Sequence, residues 1–384
     1  MSKVKLGIIG IGNMGSGHCK NLKEGKIPDI ELVAVADRAQ ARRDWIAENL
    51  PETVKVFEEG IDLINSGVCD AILIAVPHYQ HPVLAQQAFA AGLHVMCEKP
   101  AGVYTKQVVE MNAAAKESGK VFAMMFNQRT NCIYRKLKEF IVEGKLGDIR
   151  RVNWIITDWY RTQMYYDSGD WRGTWNGEGG GVLLNQCPHQ LDLMQWLFGM
   201  PSAVKAFVNE GKWHDIEVED DVTAYLEYPN GATGVFITST GDFPGTNRLE
   251  VSFDKGKIIC ENGKLTLFEL DDFVSKVTKE SKNGFAKIEM TESEVETDGE
   301  NLQHVGVLRA FAGNILRGEP LVAPGYEGIN GLMLSNAMHL SSWLEKSVSI
   351  PVDEDVFLAE LDKRRASSKK KEGVSVTFDT TGTY

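Results

Sequence analysis

The chain carries two different rhythms of apolar and polar residues. In its first third, short uninterrupted apolar runs alternate with longer segments of helical spacing. Lys3–Ile9, Leu32–Ala36, Asp70–Val76, Leu93–Cys97 and Val121–Phe126 are runs of the first kind. A strand that is apolar without alternation is buried on both faces, the habit of a parallel sheet. The stretch after the first glycines to about Lys23, and the stretches Ala39–Asn49, Pro82–Ala91 and Thr105–Ser118, read as helices between these strands. Strands alternating with helices predict an α/β domain, over residues 1–126, with a parallel sheet covered on both sides.

Beyond residue 127 the rhythm changes. A helix is expected over Ile133–Glu143, then a long segment of strand character, Ile149–Tyr166. Further strands are expected at Ala203–Asn209, Val222–Tyr228, Ala232–Thr240, Arg248–Phe253, Lys257–Glu261 and Lys264–Leu270. Pro229-Asn230-Gly231 and Glu261-Asn262-Gly263 punctuate them as hairpin turns do. Helices resume at Leu183–Phe198, Leu302–Leu316 and Gly328–Trp343. Residues 127–384 are therefore read as an α+β domain on a large, mostly antiparallel sheet, assigned to substrate binding and oligomerisation. An open sheet face commonly pairs with a symmetry mate, so a homo-oligomer is expected. The tail Lys363–Tyr384 reads as a solvated terminus, with its VSVTF stretch as a strand added to a neighbouring subunit the alternative.

The first apolar run leads into Gly10-Ile11-Gly12-Asn13-Met14-Gly15, a G-x-G-x-x-G sequence between an expected strand and an expected helix. That context makes it a dinucleotide fingerprint, and the domain a Rossmann domain. The first glycine permits the turn, the second lets the backbone approach a pyrophosphate, and the third lets helix and strand pack closely. Asp37 ends the second strand about twenty residues on, where a carboxylate takes the ribose hydroxyls. A carboxylate repels a 2′-phosphate and so favours NAD. Arg38 beside it can accommodate that phosphate, which leaves NADP open.

Composition narrows the partners. At 43% hydrophobic and 24% charged residues the chain is an ordinary globular protein. A formal net charge of -12 argues against nucleic acid and anionic membranes, and weakly against highly anionic substrates. The six cysteines form no C-x-x-C pair and read as reduced thiols in a cytosolic protein. The N-terminal run is short, glycine-interrupted and lacks a cleavage site, so it does not read as a signal peptide.

Further motifs fall where open α/β sheets bind ligands, at the carboxyl ends of strands. Val76-Pro77-His78-Tyr79-Gln80-His81 follows one strand and Glu98-Lys99-Pro100 the next. Later, Gly179-Gly180-Gly181-Val182-Leu183-Leu184-Asn185-Gln186-Cys187-Pro188-His189-Gln190-Leu191-Asp192 joins a glycine run to a histidine and an aspartate. In this order the motifs resemble the Gfo/Idh/MocA family of NAD(P)-dependent oxidoreductases over nearly the whole chain. The resemblance implies that Lys99 sits near the nicotinamide and the substrate hydroxyl. It also implies that His189 handles the hydroxyl proton from the second domain. Val76, Pro77, His78, His81, Glu98 and Asn127 become cofactor-side residues beside Gly10, Gly12, Asn13, Met14, Gly15, Asp37 and Arg38. Asn185 stands where the family has an aspartate. It can hold a hydroxyl but takes no proton, which shifts the base towards His189. Asp192, Trp171, Arg172 and Tyr160 are expected on the substrate side.

The reaction class is oxidation of a ring hydroxyl of a sugar, a glycoside (C3 being an attractive position) or a cyclitol. The aromatic run from Trp154 to Trp175 suits stacking on a sugar, although some of it must be core. A redox-neutral glycosidase or lyase with retained NAD, and a non-catalytic dinucleotide sensor, are the alternatives. His78 and His81 lack a third ligand, so no metal is expected.

Overall fold

The structure, a computed structural model, describes residues 3–369 and 371. The chain divides into two compact units. One comprises residues up to Thr130 with 177–179 and 302–332; the other comprises 131–176, 180–301 and the residues from Met333 on.

In the first unit β1 (Val4–Ile9), α1 (Asn13–Lys23), β2 (Ile30–Ala36), α2 (Gln40–Asn49), β3 (Lys55–Phe57), α3 (Gly60–Asn65), β4 (Ala71–Ile74), α4 (Gln80–Ala90), β5 (His94–Cys97), α5 (Thr105–Ser118) and β6 (Phe122–Met124) follow in order. The six strands lie as β3-β2-β1-β4-β5-β6, every neighbouring pair parallel. The order reverses between β1 and β4, creating the crevice at which such sheets bind ligands. Leu6, Ile8, Val35, Leu73 and Met96 on the strands share one buried cluster with Cys19, Ile46 and, from a helix at 303–317, Val307, Leu308, Phe311 and Ala312. The expected strands and helices are present with small end shifts. β3 and α3 escaped the pattern because each is too short to show a period.

The second unit begins with α6 (Cys132–Glu143), β7 (Ile149–Ile156), α7 (Gln163–Asp167) and α8 (Pro188–Phe198). Strands β8 (Ala203–Glu210), β9 (Glu219–Glu227), β10 (Thr233–Ser239), β11 (Asn247–Phe253), β12 (Gly256–Glu261) and β13 (Lys264–Leu270) come next. Then follow α9 (Val274–Glu280), β14 (Met290–Val295), α10 (Gln303–Arg317, the helix of the first unit), α11 (Gly328–Trp343), β15 (Val348–Ser349) and α12 (Glu354–Ser367). The sheet has nine strands in the order β14-β13-β12-β11-β7-β10-β9-β8-β15. It is antiparallel except for the β7–β10 pair. Alternate residues of β9 and β12 are buried, as in a sheet with one covered face.

Three expectations are corrected. Strand character over Ile149–Tyr166 ends at Ile156; Gln163–Asp167 is a short helix. The helix expected over Leu183–Phe198 starts at Pro188, because the amides of the preceding residues bond elsewhere. The Gly181 and Leu183 amides donate to the Glu219 carboxylate at 2.8 and 2.9 Å. The tail from Lys363 opens on helix, since α12 runs to Ser367 behind an Asp353 N-cap, although most of its residues there are exposed. The VSVTF stretch lies outside the described residues.

Candidate active site

The glycine turn is built for backbone proximity. Gly10 has φ +91, and a Cβ there would stand 2.4 Å from the Ala75 carbonyl oxygen. A Cβ on Gly15 would stand 1.9 Å from the Gly10 oxygen. Gly12 differs: a Cβ there would meet nothing within 4 Å. It caps α1 with no side-chain hydrogen bond, so the helix presents its first amides around an open space. An uncapped helix N-terminus beside such a space fits a pyrophosphate. Asn13 is exposed and Met14 partly exposed on this turn.

Asp37 lies where the ribose reading needs it. Its Oδ2 accepts from the Ile11 amide at 2.7 Å and its Oδ1 from the Ala39 amide at 2.8 Å. These bonds fix the carboxylate at the end of β2, against the glycine turn, and leave each oxygen a further lone pair. Arg38 points its Nε to Glu59 Oε2 at 2.9 Å and is largely exposed. Its guanidinium is thus already matched to a carboxylate, which supports the NAD side of the sequence reading.

Val76 and Pro77, at the carboxyl end of β4, are partly exposed and exposed. His78 and His81 are buried. His78 Nδ1 lies 3.0 Å from the Glu178 carbonyl oxygen. His81 places its two ring nitrogens 2.7 Å from the Pro100 and Val76 carbonyl oxygens, and burial pushes its pKa down. His81 therefore stitches the β4 turn to the Glu98-Lys99-Pro100 turn. Asn127 is also buried, its Nδ2 donating to Gln303 Oε1.

The Glu98-Lys99-Pro100 turn follows β5. Lys99 is partly exposed, whereas Glu98 is only 4% exposed. Glu98 Oε1 accepts from His18 Nε2 at 2.8 Å, deep under α1. Burial would raise the carboxyl's pKa, but the His18 bond and charge, with His304 and Lys99, outweigh it and hold it at about 2. The His18 and His304 rings meet edge-on, 5.5 Å apart. Burial drives His304 down to about 4. Sequence reasoning missed His18, Gln303 and His304. The available signal was a histidine on the inward face of the fingerprint helix, within an otherwise apolar stripe.

In the second unit, the glycine run and its sequel fold as a tight loop. Leu184 and Asn185 amides donate to the Gly181 oxygen at 3.0 and 2.8 Å, and Cys187 to the Val182 oxygen at 2.8 Å. The Glu219 carboxylate, wholly buried, holds this loop, and His339 Nε2 stands 2.9 Å from it. His339 and the loop amides outweigh burial and lower the Glu219 pKa. Glu219 and His339 were not singled out from the sequence.

The loop delivers Asn185, partly exposed, and then His189 on the first turn of α8, also partly exposed. Asp192 is 0% exposed, and its Oδ1 accepts from Gln195 Nε2 at 3.0 Å. Arg172 lies 4.4 Å over the Tyr165 ring and 4.5 Å over the Trp171 ring, and donates to the Tyr165 hydroxyl at 2.6 Å. Gln186 Nε2 donates to the same hydroxyl at 3.2 Å, tying this aromatic segment to the loop. Tyr160 is exposed and pairs with Phe243 at 5.5 Å, while Trp154, Tyr166 and Trp175 are core.

Among the described residues no helix is long and apolar enough to cross a membrane. A groove bordered by Cys69, Asp70, His94 and Lys120 lies at the amino ends of β4 and β5, the end of the sheet away from the glycine turn.

Comparison with known proteins agrees with this geometry. Residues 4–126 match the oxidoreductase family with an NAD-binding Rossmann fold, and residues 134–259 match the GFO/IDH/MocA C-terminal domain. The chain is 26% identical over 357 residues to a myo-inositol 2-dehydrogenase of Thermotoga maritima, covering 91% of this chain and 99% of the relative. It is 30% identical over 250 residues to the trans-1,2-dihydrobenzene-1,2-diol dehydrogenase of Mus musculus, covering 63% and 71%. The crystal structure of the WlbA dehydrogenase of Bordetella pertussis, in complex with NADH and UDP-GlcNAcA, superposes with a TM-score of 0.77 at 25% identity. That match covers 91% of this chain and all of the other.

Proposed function

The chain belongs to the Gfo/Idh/MocA family of NAD-binding oxidoreductases, and from that premise we propose that it oxidises a ring hydroxyl of a sugar, glycoside or cyclitol. The nicotinamide, when bound, supplies the hydride acceptor. The protein must then hold the dinucleotide, orient the carbon and take one proton.

The observation that carries the reading is the open space at Gly12, framed by the uncapped start of α1 and by Asp37. Gly10, Gly12 and Gly15 bring the backbone to the pyrophosphate, and Asp37 accepts from the adenosine ribose hydroxyls. In this reading residues 1–126 bind the dinucleotide and residues 127–384 bind substrate and form the oligomer contact. His189 is the base: it is partly exposed on the first turn of α8, and an imidazole is the side chain suited to taking a proton near neutral pH. Lys99 polarises the same oxygen. Asn185 donates or accepts a hydrogen bond to a neighbouring hydroxyl and moves no proton. The inositol, dihydrodiol and nucleotide-sugar names of the relatives all describe cyclic substrates, which supports the substrate class.

The test is initial-rate assay with NAD and with NADP against inositols, free sugars and alkyl glucosides, glucosides oxidised at C3 included. NADH accumulation with at least one of them is expected. Turnover without net NADH would favour redox-neutral cleavage, and a folded, NAD-loaded protein inert to the whole panel would overturn the reading.

A further inference from the structure

We propose that His18, acting through Glu98, is a positioning residue that fixes the place and the positive charge of Lys99. The inference rests on the assignment of Lys99 above and concerns how the fold prepares that side chain.

The argument starts from chain order. Glu98 immediately precedes Lys99, so whatever immobilises Glu98 immobilises the start of the lysine's turn. Glu98 Oε1 is bonded to His18 Nε2 at 2.8 Å, and its Oε2 accepts from the Lys99 amide at 3.3 Å. His18 is 1% exposed and sits on α1, the helix whose N-terminus frames the glycine turn. One buried bond thus ties the lysine's turn to the helix that would hold the phosphates. His18 Nδ1, also buried, has no hydrogen-bond partner among the described residues. The imidazole is accordingly held by the Glu98 bond.

The groups facing Glu98 explain why the device is electrostatic as well as mechanical. His18 approaches from α1, His304 from α10, His81 from α4, and Cys97 and Lys99 from its own strand and turn. Burial pushes His304 and His81 down and the Cys97 thiol up, so near neutral pH these three add no charge. What remains is an ionised buried carboxylate with His18 on one side and Lys99 on the other. A neighbouring anion favours the ammonium form of the lysine. Lys99 then acts as a fixed cation, and the proton must go to another group.

The backbone at His304 shows that the cluster is held against local preference. Gln303 adopts φ +49, a left-handed conformation uncommon for a residue with a Cβ. Its side chain is anchored by Asn127 Nδ2 and by Gln128 Nε2. That strained residue sets the start of α10, and with it the ring of His304 against His18.

The decisive experiment follows Lys99 itself in the full-length protein, without any substrate. The pH dependence of its acetylation by acetic anhydride is read by peptide mass spectrometry in the wild type, in Glu98→Gln and in His18→Asn. Glu98→Gln keeps the shape and removes the charge, so its labelling midpoint should lie about 0.3 pH unit or more below that of the wild type. His18→Asn should loosen the turn, raising the Lys99 labelling rate at fixed pH by about threefold or more. His18→Asn also covers the case in which Glu98→Gln fails to fold. NADH fluorescence titration confirms that each variant still binds cofactor. An unchanged midpoint in Glu98→Gln, or an unchanged rate in His18→Asn where Glu98→Gln is not folded, overturns the inference. Undiminished turnover in Lys99→Ala would instead sink the catalytic assignment of Lys99 and leave the labelling result standing.

Discussion

The glycine turn makes a prediction in which two alanine substitutions, three residues apart, fail in opposite ways. At Gly15 the added methyl would lie 1.9 Å from the Gly10 carbonyl oxygen, which is backbone and cannot rotate away. The turn and α1 would have to separate by more than an ångström. Overpacking of this kind costs about 3 kcal/mol. At Gly12 the methyl meets no protein atom within 4 Å, and the backbone φ of -71 suits alanine. The cost there is only the weaker N-cap, about 0.5–1 kcal/mol. The same methyl, however, fills the space through which the dinucleotide's phosphates reach the helix amides. Gly12→Ala should therefore keep most of its thermal stability and lose NADH affinity at least about tenfold, or about 1.4 kcal/mol. Gly15→Ala should lose stability first, with a thermal midpoint lower by roughly 2–4 °C for each kcal/mol. Scanning calorimetry and NADH fluorescence titration on both variants give the comparison. Wild-type NADH affinity in Gly12→Ala, or a wild-type midpoint in Gly15→Ala, would refute the reasoning.

Other substitutions probe neighbouring parts of the account. Asp37→Ala removes a charged acceptor from the Ile11 and Ala39 amides. NADH binding should weaken by about 1.5–3 kcal/mol, with NADPH affected less, in parallel fluorescence titrations. Acid should destabilise the first unit in two stages. His304 is depressed from 6.5 to about 4, so below pH 6.5 the unfolded chain takes up the proton first. Stability is then lost at up to about 1.4 kcal/mol per pH unit down to about pH 4. Glu98 is depressed from 4.5 to about 2, so its contribution is present above pH 4.5 and is lost as pH falls from there. Urea unfolding near pH 7 and near pH 5 should show His304→Asn losing about 2 kcal/mol less than the wild type over that interval.

The regular part of the fold was legible because its signals are local. The strands of the first unit are continuous apolar runs, and Thr105–Ser118 has the helix that its spacing predicts. The glycine turn was legible for the same reason: Gly10 has a φ of +91, and a Cβ on Gly15 would meet the Gly10 oxygen of the same strand–turn–helix. What escaped depends on partners distant in sequence. His18 finds Glu98 eighty positions on, and Glu219 takes the amides of the glycine run thirty-six to thirty-eight positions before it. That long-range capture is also why the apolar VLLNQC stretch is a loop, although its composition suits a helix. His78 and His81 sit beside the site in sequence, yet their imidazoles turn inward to backbone carbonyls.

The central claim is that this chain removes a hydride from a ring carbon while His189 takes the hydroxyl proton. It is tested most directly by a single-turnover experiment with NAD and a substrate drawn from the active panel, deuterated at the carbon that is oxidised. The account predicts a primary isotope effect on NADH formation, and loss of about 10²–10⁴-fold in that rate in His189→Asn with cofactor binding intact. NADH formation at the wild-type rate in His189→Asn would contradict it.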